Sequence, residues 1–315
     1  MKKKLLVIAL GGNAILNKGE KGTFEEQFNN VSKTMDHIAD LVQDGKYQVT
    51  ITHGNGPQVG VIMNQQAAAI KLSPEMPMHM CGAMSQGQIG YLIQQSLSNI
   101  LKKRKIKKTI ATVVTQVVVD KNSPGFKNPT KPVGPYYNET DAKAKMQETG
   151  FVFKEDAGRG WRRVVPSPQP LRIVEIESIR DLVKKDVIVV SVGGGGIPVI
   201  EDKRKLSGVD AVIDKDRGAT LLGDNLKADF LVILTAVEKV LLNFGKPNQK
   251  ALDKMNIKEA KKYMKEGHFA EGSMKPKIEA AITFIEGDRK RKALITHANT
   301  LKEALAGKNG TLISY

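Results

Sequence analysis

Three glycine-rich segments, each placed directly after a short apolar run, constrain this chain more than any other feature: Gly11-Gly12-Asn13-Ala14, His53-Gly54-Asn55-Gly56-Pro57 and Gly193-Gly194-Gly195-Gly196. A fourth, Gly272-Ser273-Met274-Lys275-Pro276-Lys277, opens a helix with no obvious strand before it. A strand that ends in glycines and then opens a helix points bare backbone N–H groups beyond the sheet edge, where they favour an anion. Several such ends on different elements imply one polyphosphate-sized ligand, or two adjacent anions, gathered along one edge of a parallel sheet. The expectation is an enzyme that handles phosphate.

The rest of the pattern agrees with a parallel sheet. Lys4–Leu10 and Gln48–Thr52 read as strands around a helix at Phe24–Asp44, whose Phe24, Phe28, Val31, Met35, Ile38 and Val42 fall on one stripe before Gly45 stops it. Helices follow at Pro57–Lys71 and Ser85–Arg104, and Thr109–Val119 reads as one buried strand. Asp120 to Tyr137 then holds four prolines, and Phe151–Val165 alternates like a hairpin turned at Asp156-Ala157-Gly158, so this block reads as an inserted flap. The rhythm resumes with a helix at Glu175–Lys185 and a strand at Val187–Val192. Further strands are expected at Phe230–Leu234, Ala293–Thr296 and Thr311–Ser314, with helices at Ile257–Lys265, Pro276–Glu286 and Thr300–Ala306. Strands separated by helices predict an α/β fold, a three-layer αβα sandwich around a mostly parallel sheet with a small protruding insert.

Composition narrows the partners. At 315 residues with 41% hydrophobic content, the chain can bury a substantial core. One cysteine, Cys81, excludes an intrachain disulfide and a cysteine-cluster metal site, which fits a reducing, cytoplasmic setting. Met1-Lys2-Lys3-Lys4 before Leu5 to Leu10 has the look of a signal peptide, but the apolar run is too short, and it reads as the first strand. No run approaches the roughly 20 residues of a membrane span, so a soluble protein is expected. The net charge of +16 raises nucleic acid as a partner, yet aromatics are only 5% and no nucleic-acid signature is present. Small anions steered by the positive field are the preferred partners.

Familiar phosphate and hydrolase motifs are missing. No glycine run leads into Gly-Lys-Ser/Thr, no Gly-x-Ser-x-Gly elbow occurs, and the five histidines lack His-Glu-x-x-His spacing. What remains are lysines beside glycines. Lys277 sits in the first turn of a helix after Gly272, where a cation next to N–H donors makes sense if an anion binds there. Lys215 stands between Asp214 and Asp216 at the end of the apolar run Val209–Ile213. Such a triplet is ordinarily a surface ion pair; beside glycine loops it becomes a candidate for phosphoryl chemistry. Met76, Met78, Met80 and Met84 read as a methionine-rich packing loop, and His53 as a residue that caps or packs.

These segments, together with Gly158-Arg159-Gly160-Trp161-Arg162-Arg163-Val164-Val165-Pro166-Ser167-Pro168, Asp214-Lys215-Asp216 and Leu234-Thr235-Ala236-Val237, resemble carbamate kinases of the amino-acid kinase superfamily, in order and nearly end to end. The resemblance implies reversible phosphoryl transfer between ATP and carbamate, giving ADP and carbamoyl phosphate with Mg²⁺, used to make ATP in arginine catabolism by a homodimer. It places catalysis on Lys215, Lys277, Asp216 and Lys131, with the N–H groups of Gly11, Gly12, Gly54 and Gly56 as the electrostatic cradle. Gly12, Asn13, Asn55, Gly56, Gly194 and Gly195 would hold substrate. Thr235, Ala236, Val237 and Met274, with both lysines, would line the nucleotide site. No protein metal ligand is expected apart from Asp210 through a Mg²⁺-bound water. Residues 1–208 would form a carbamate lobe carrying a flap at 121–166, and residues 209–315 a nucleotide lobe. Alternatives are an acetylglutamate, uridylate or isopentenyl phosphate kinase of the same superfamily, or a basic anion- or nucleic-acid-binding module.

Overall fold

Leu5 to Leu10 do form the first strand, Lys4–Leu10, and it sits in the middle of the molecule. The structure, a computed structural model, describes residues 3–17, 19–156 and 158–315; the Met1-Lys2 start and the Ala157 turn position lie outside the described residues. Eight strands make the main sheet, in the order Lys254–Asn256, Thr311–Ser314, Lys292–Thr296, Phe230–Leu234, Lys4–Leu10, Tyr47–His53, Ile188–Val190, Ile110–Thr112. Neighbours run parallel except Lys292–Thr296 against Thr311–Ser314.

The two-residue period of a strand divides its side chains between two helical layers. Leu6, Ile8 and Leu10 enter a cluster with Val31, Met35 and Ile38 of the Phe24–Asp44 helix and with Ile89, Ile93 and Leu97. Val7 and Ala9 point the other way, against Ala219, Leu222, Ile278 and Phe284. Burial on both faces explains why the strand reads as a continuous apolar run, and it gives the three-layer sandwich. The Phe24–Asp44 helix owes its ends to local chemistry. Thr23 and Glu26 form a reciprocal capping box, and Gly45 closes it in the left-handed region at φ 69°.

The order in which strands are added reverses at the centre of the sheet, although the strands themselves stay parallel. From Lys4–Leu10 the chain runs through the Phe24–Asp44 helix to the adjacent Tyr47–His53. From Phe230–Leu234 it crosses through helices Ile257–Lys265 and Met274–Gly287, on the other face, to Lys292–Thr296 on the opposite side. A crevice opens where two neighbouring strands send their connections apart, and Gly11 and Thr235 stand at its two lips.

Two expectations need correction. Thr109–Val119 is not one strand: Ile110–Thr112 ends the main sheet, and Gln116–Val119 pairs in a second, four-stranded sheet with Ile197–Asp202 and Pro170–Ile173. The apolar run continues through a change of sheet, which hydropathy cannot register. The methionines at 78, 80 and 84 are not in a loop, because the helix starts at Met78 and runs to Lys103. Its start lacks a side-chain cap, only Pro77 in extended conformation preceding it. The expected hairpin within Phe151–Val165 is present, Phe153–Glu155 against Trp161–Val165; Lys131–Tyr137 pairs antiparallel on its other side, with a helix Glu139–Thr149 capped by Asn138 and ended by Gly150.

Candidate active site

The site is built from one helix start. Asp214 is the N-cap of Lys215–Leu226, its Oδ1 accepting from the N–H groups of Asp216 at 2.9 Å and Arg217 at 3.4 Å. Capping fixes the first turn, so Lys215 and Asp216 leave the helix in defined directions. The Lys215 stem lies along Gly54: a Cβ there would stand 3.1 Å from Lys215 Cδ. Lys277 arrives from the Met274–Gly287 helix, which packs beside the first; Thr220 Oγ1, one turn beyond Asp216, donates to Ala280 O at 3.2 Å.

These contacts bring Asp216 between the two lysines. Its Oδ1 accepts from Lys215 Nζ at 2.5 Å and its Oδ2 from Lys277 Nζ at 3.2 Å. The Asp216 side chain is 3% exposed, whereas the lysine side chains are 16% and 14% exposed, so the anion is the more buried partner. Burial by itself would raise the Asp216 carboxyl; Lys215 and then Lys277 outweigh it and hold the group below the ordinary carboxylate value. Two positive charges carried on one negative charge leave a net positive site beside the glycine loops.

The glycine loops meet this triad, with one change to their expected role. The Gly54 N–H donates to Leu10 O at 3.1 Å, and that of Gly195 to Val192 O at 3.0 Å, so neither is a spare donor. Gly54 instead makes room for Lys215. Gly195, at φ 89°, passes 2.4 Å from Ile213 O at its Cβ position, and Gly218 presses on its Cα. These glycines let the Gly193 loop lie against the start of the Lys215 helix.

Two cavities flank the loops. One of about 310 Å³ is bordered by Gly11, Asn13, Thr235, Ala236, His297 and Asn299 at the switch point. The other, about 140 Å³, is bordered by Asn55, Gly56, Gly194, Lys131, Arg162 and Val212. Lys131 comes from the first flap strand and stands 3.9 Å from the free oxygen of Asp214, so the flap does reach the helix that starts the site. Val237 and Met274 are half-buried nearby in the chain but border neither cavity. Asp210, expected only through a Mg²⁺-bound water, is held by Arg163 of the flap at 2.6 Å. Among the described residues no cluster of three acidic, histidine or cysteine side chains is placed to hold a metal ion. The Arg163 tether was missed from sequence, although Arg162 and Arg163 occupy alternate faces of a recognisable hairpin strand.

His53 ends its strand almost fully buried, with Nδ1 2.9 Å from Gly54 O; burial pushes its pKa down to about 4. Unfolded imidazole titrates near 6.5. Between those values the unfolded chain binds a proton that the folded one refuses, so stability is full above about pH 6.5 and declines as pH falls toward 4. The loss attributable to His53 is about 3 kcal/mol over that window. Urea titrations should show it as a pH slope that flattens in His53→Asn; equal slopes in both proteins would refute the assignment. Asp216 acts lower, its contribution being present above the ordinary carboxylate value of 3.8 and lost as pH falls through its depressed folded value.

Comparison with known proteins places these elements in context. A sequence model described as the amino acid kinase family matches residues 4–297. A carbamate kinase of Thermococcus kodakarensis is 54% identical over 312 residues, covering 98% of this chain and 99% of that protein. Carbamate kinase 2 of Enterococcus faecalis is 49% identical over 311 residues, 98% of each. The solved carbamate kinase from Giardia lamblia bound to AMP-PNP superimposes with a TM-score of 0.96 at 46% identity, covering 99% of this chain and 98% of that one.

Proposed function

The chain belongs to the carbamate kinases of the amino acid kinase family and is an ATP-dependent kinase; we propose that it transfers a phosphoryl group reversibly between ATP and carbamate, giving ADP and carbamoyl phosphate. The observation that carries the reading is the Lys215–Asp216–Lys277 triad beside the Gly11 and Gly54 loops.

Carbamate is already an anionic nucleophile, so no general base is required. One carbamate oxygen forms a bond to the γ-phosphorus as the bond to the β–γ bridging oxygen breaks, and the electron pair leaves with ADP. What a protein adds to such a step is alignment and charge neutralisation. Lys215 and Lys277 would neutralise the transferring group from two sides, with Asp216 fixing both ammonium groups. The N–H groups of Gly11, Gly12 and Gly56 and the side chains of Asn13 and Asn55 would complete the cradle, while Gly54 and Gly195 supply space rather than donors. The smaller cavity, bordered by Asn55, Gly56 and Gly194, would take carbamate, with Lys131 as its clamp. Thr235, Ala236, Val237 and Met274 would border the nucleotide. Mg²⁺ bound with the nucleotide phosphates would supply further charge neutralisation to the transferring group. The division at residue 208, a homodimer, a cytoplasmic setting and a role in arginine breakdown belong to the same proposal. No helix of the described residues is long and apolar enough to cross a membrane.

ATP formation from ADP and carbamoyl phosphate, with ammonium carbamate in the reverse direction, tests the reading. Turnover of N-acetylglutamate, uridylate or isopentenyl phosphate in place of carbamate would overturn it in favour of another kinase; no turnover of any would return the chain to the anion-binding alternative. In the same assay Lys131→Ala should raise the KM for carbamoyl phosphate roughly tenfold and that for ADP little, by loss of one charged contact. Proteolysis between residues 122 and 160 should slow when ADP, Mg²⁺ and carbamoyl phosphate are present. Unchanged KM and unchanged cleavage would make the flap a packing element.

A further inference from the structure

The geometry points to His53 as a positioning residue for phosphoryl transfer: its buried ring locks the Gly54–Asn55 peptide and the Gly193 loop into one register beneath the reacting groups. The inference rests on the kinase reading above, and concerns a residue that cannot touch substrate.

Along Tyr47–His53, Val49 and Ile51 point into the layer of the Phe24–Asp44 and Met78–Lys103 helices, and His53 follows them two residues later. An imidazole in that apolar layer is unfavourable unless its polar atoms are used. Its Nδ1 is used. Gly54 O is a carbonyl and can only accept, so at 2.9 Å the Nδ1 must carry the proton; in the neutral ring Nε2 is then bare. A trans peptide sets its N–H opposite its C=O. Holding Gly54 O toward the ring therefore turns the Asn55 N–H away from it. Valine or leucine would fill the same space without fixing that plane.

The ring also sets the second loop. A Cβ on Gly193 would stand 2.4 Å from His53 Nε2, and one on Gly194 2.3 Å from Asn55 Nδ2, so successive residues of the two loops lie directly against each other. The loop is also braced from the Met78–Lys103 helix. Gln86 Nε2 donates to Gly193 O at 2.9 Å, and Asn55 Nδ2 donates to Ser85 Oγ at 2.8 Å. The Gly193 loop is thus held between Gln86 and His53, and the Asn55 side chain between Ser85 and Gly194. Preorganised donors stabilise a transition state only while their aim is fixed, and losing a donor typically costs about a hundredfold in kcat.

Two substitutions separate aim from packing. His53→Leu keeps an apolar side chain of similar reach and removes the Nδ1 donor; His53→Asn is smaller but places Nδ2 where Nδ1 stood. For positioning, the leucine variant should lose roughly 10- to 100-fold in kcat, with an ADP Kd within about threefold of the native protein. The asparagine variant should return to within about fivefold. For packing alone the ranking reverses, leucine remaining active and asparagine melting earlier with lower activity; that result, or native kcat in a folded leucine variant, overturns the inference. Should the leucine variant not fold, the asparagine variant decides: retained kcat supports positioning, and a folded but inactive protein refutes it. A native protein that fails to turn over carbamoyl phosphate brings down the kinase reading instead, and is recognised before any variant is made.

Discussion

Lys215→Ala and Lys277→Ala should each lower kcat by at least about a hundredfold, with ADP affinity falling less, the pattern of a group whose charge matters most in the transition state. Each lysine occupies a separate oxygen of Asp216 and comes from a different helix, so neither substitutes for the other. With one removed, the buried carboxylate keeps a single partner and the net positive charge of the triad disappears. The two variants should differ in one respect. Lys215 also packs its stem on Gly54, so Lys215→Ala opens a hollow between the strand end and the helix, which Lys215→Met would refill without restoring kcat. Near-native turnover in either alanine variant would remove that lysine from the mechanism.

How much of this could be read from sequence depends on how local each cause is. Strands ending in glycines announce themselves within ten residues, since burial on both faces makes the run apolar and close backbone approach demands glycine. The Asp214 cap is equally local, yet the Lys215–Leu226 helix it starts was not among the expected elements, and Asp214-Lys215-Asp216 was read only as a charged triplet. Lys277 and Asp216 are 61 residues apart, and their meeting depends on two helices packing through Thr220 and Ala280; the resemblance to a family supplied that pairing, periodicity did not. The Gly54 N–H was assigned to the anion cradle because a loop glycine normally has a spare donor, but here the ladder extends one residue further and Leu10 O takes it. His53 carried no functional signal because its whole effect passes through a backbone carbonyl. Asp210 was expected only through a Mg²⁺-bound water; what the sequence did not show is that a flap arginine 47 residues earlier holds its carboxylate.

Asp216→Asn should leave a folded protein with kcat reduced at least about a hundredfold, comparable to loss of a lysine, although the substitution removes no cation. An amide has the shape of the carboxylate but not its charge, so it presents one acceptor oxygen where two were used, and its NH₂ opposes whichever ammonium it faces. Both lysines then lose the counter-charge that fixes them. Breaking a buried pair from one side typically costs about 3–5 kcal/mol, so the melting temperature should fall as well, and activity alone would not separate chemistry from stability. Ligand separates them. Carbamoyl phosphate and ADP bring negative charge to the unbalanced lysines, so together they should raise the melting temperature of the variant more than that of the native protein, while kcat stays low because bound charge does not restore aim. Circular dichroism with thermal melts, without and with both ligands, makes the measurement. A variant that is unfolded without ligand and recovers full kcat when ligand refolds it would confine Asp216 to a structural role, whereas a folded variant with native kcat would dismantle the triad as the centre of the site.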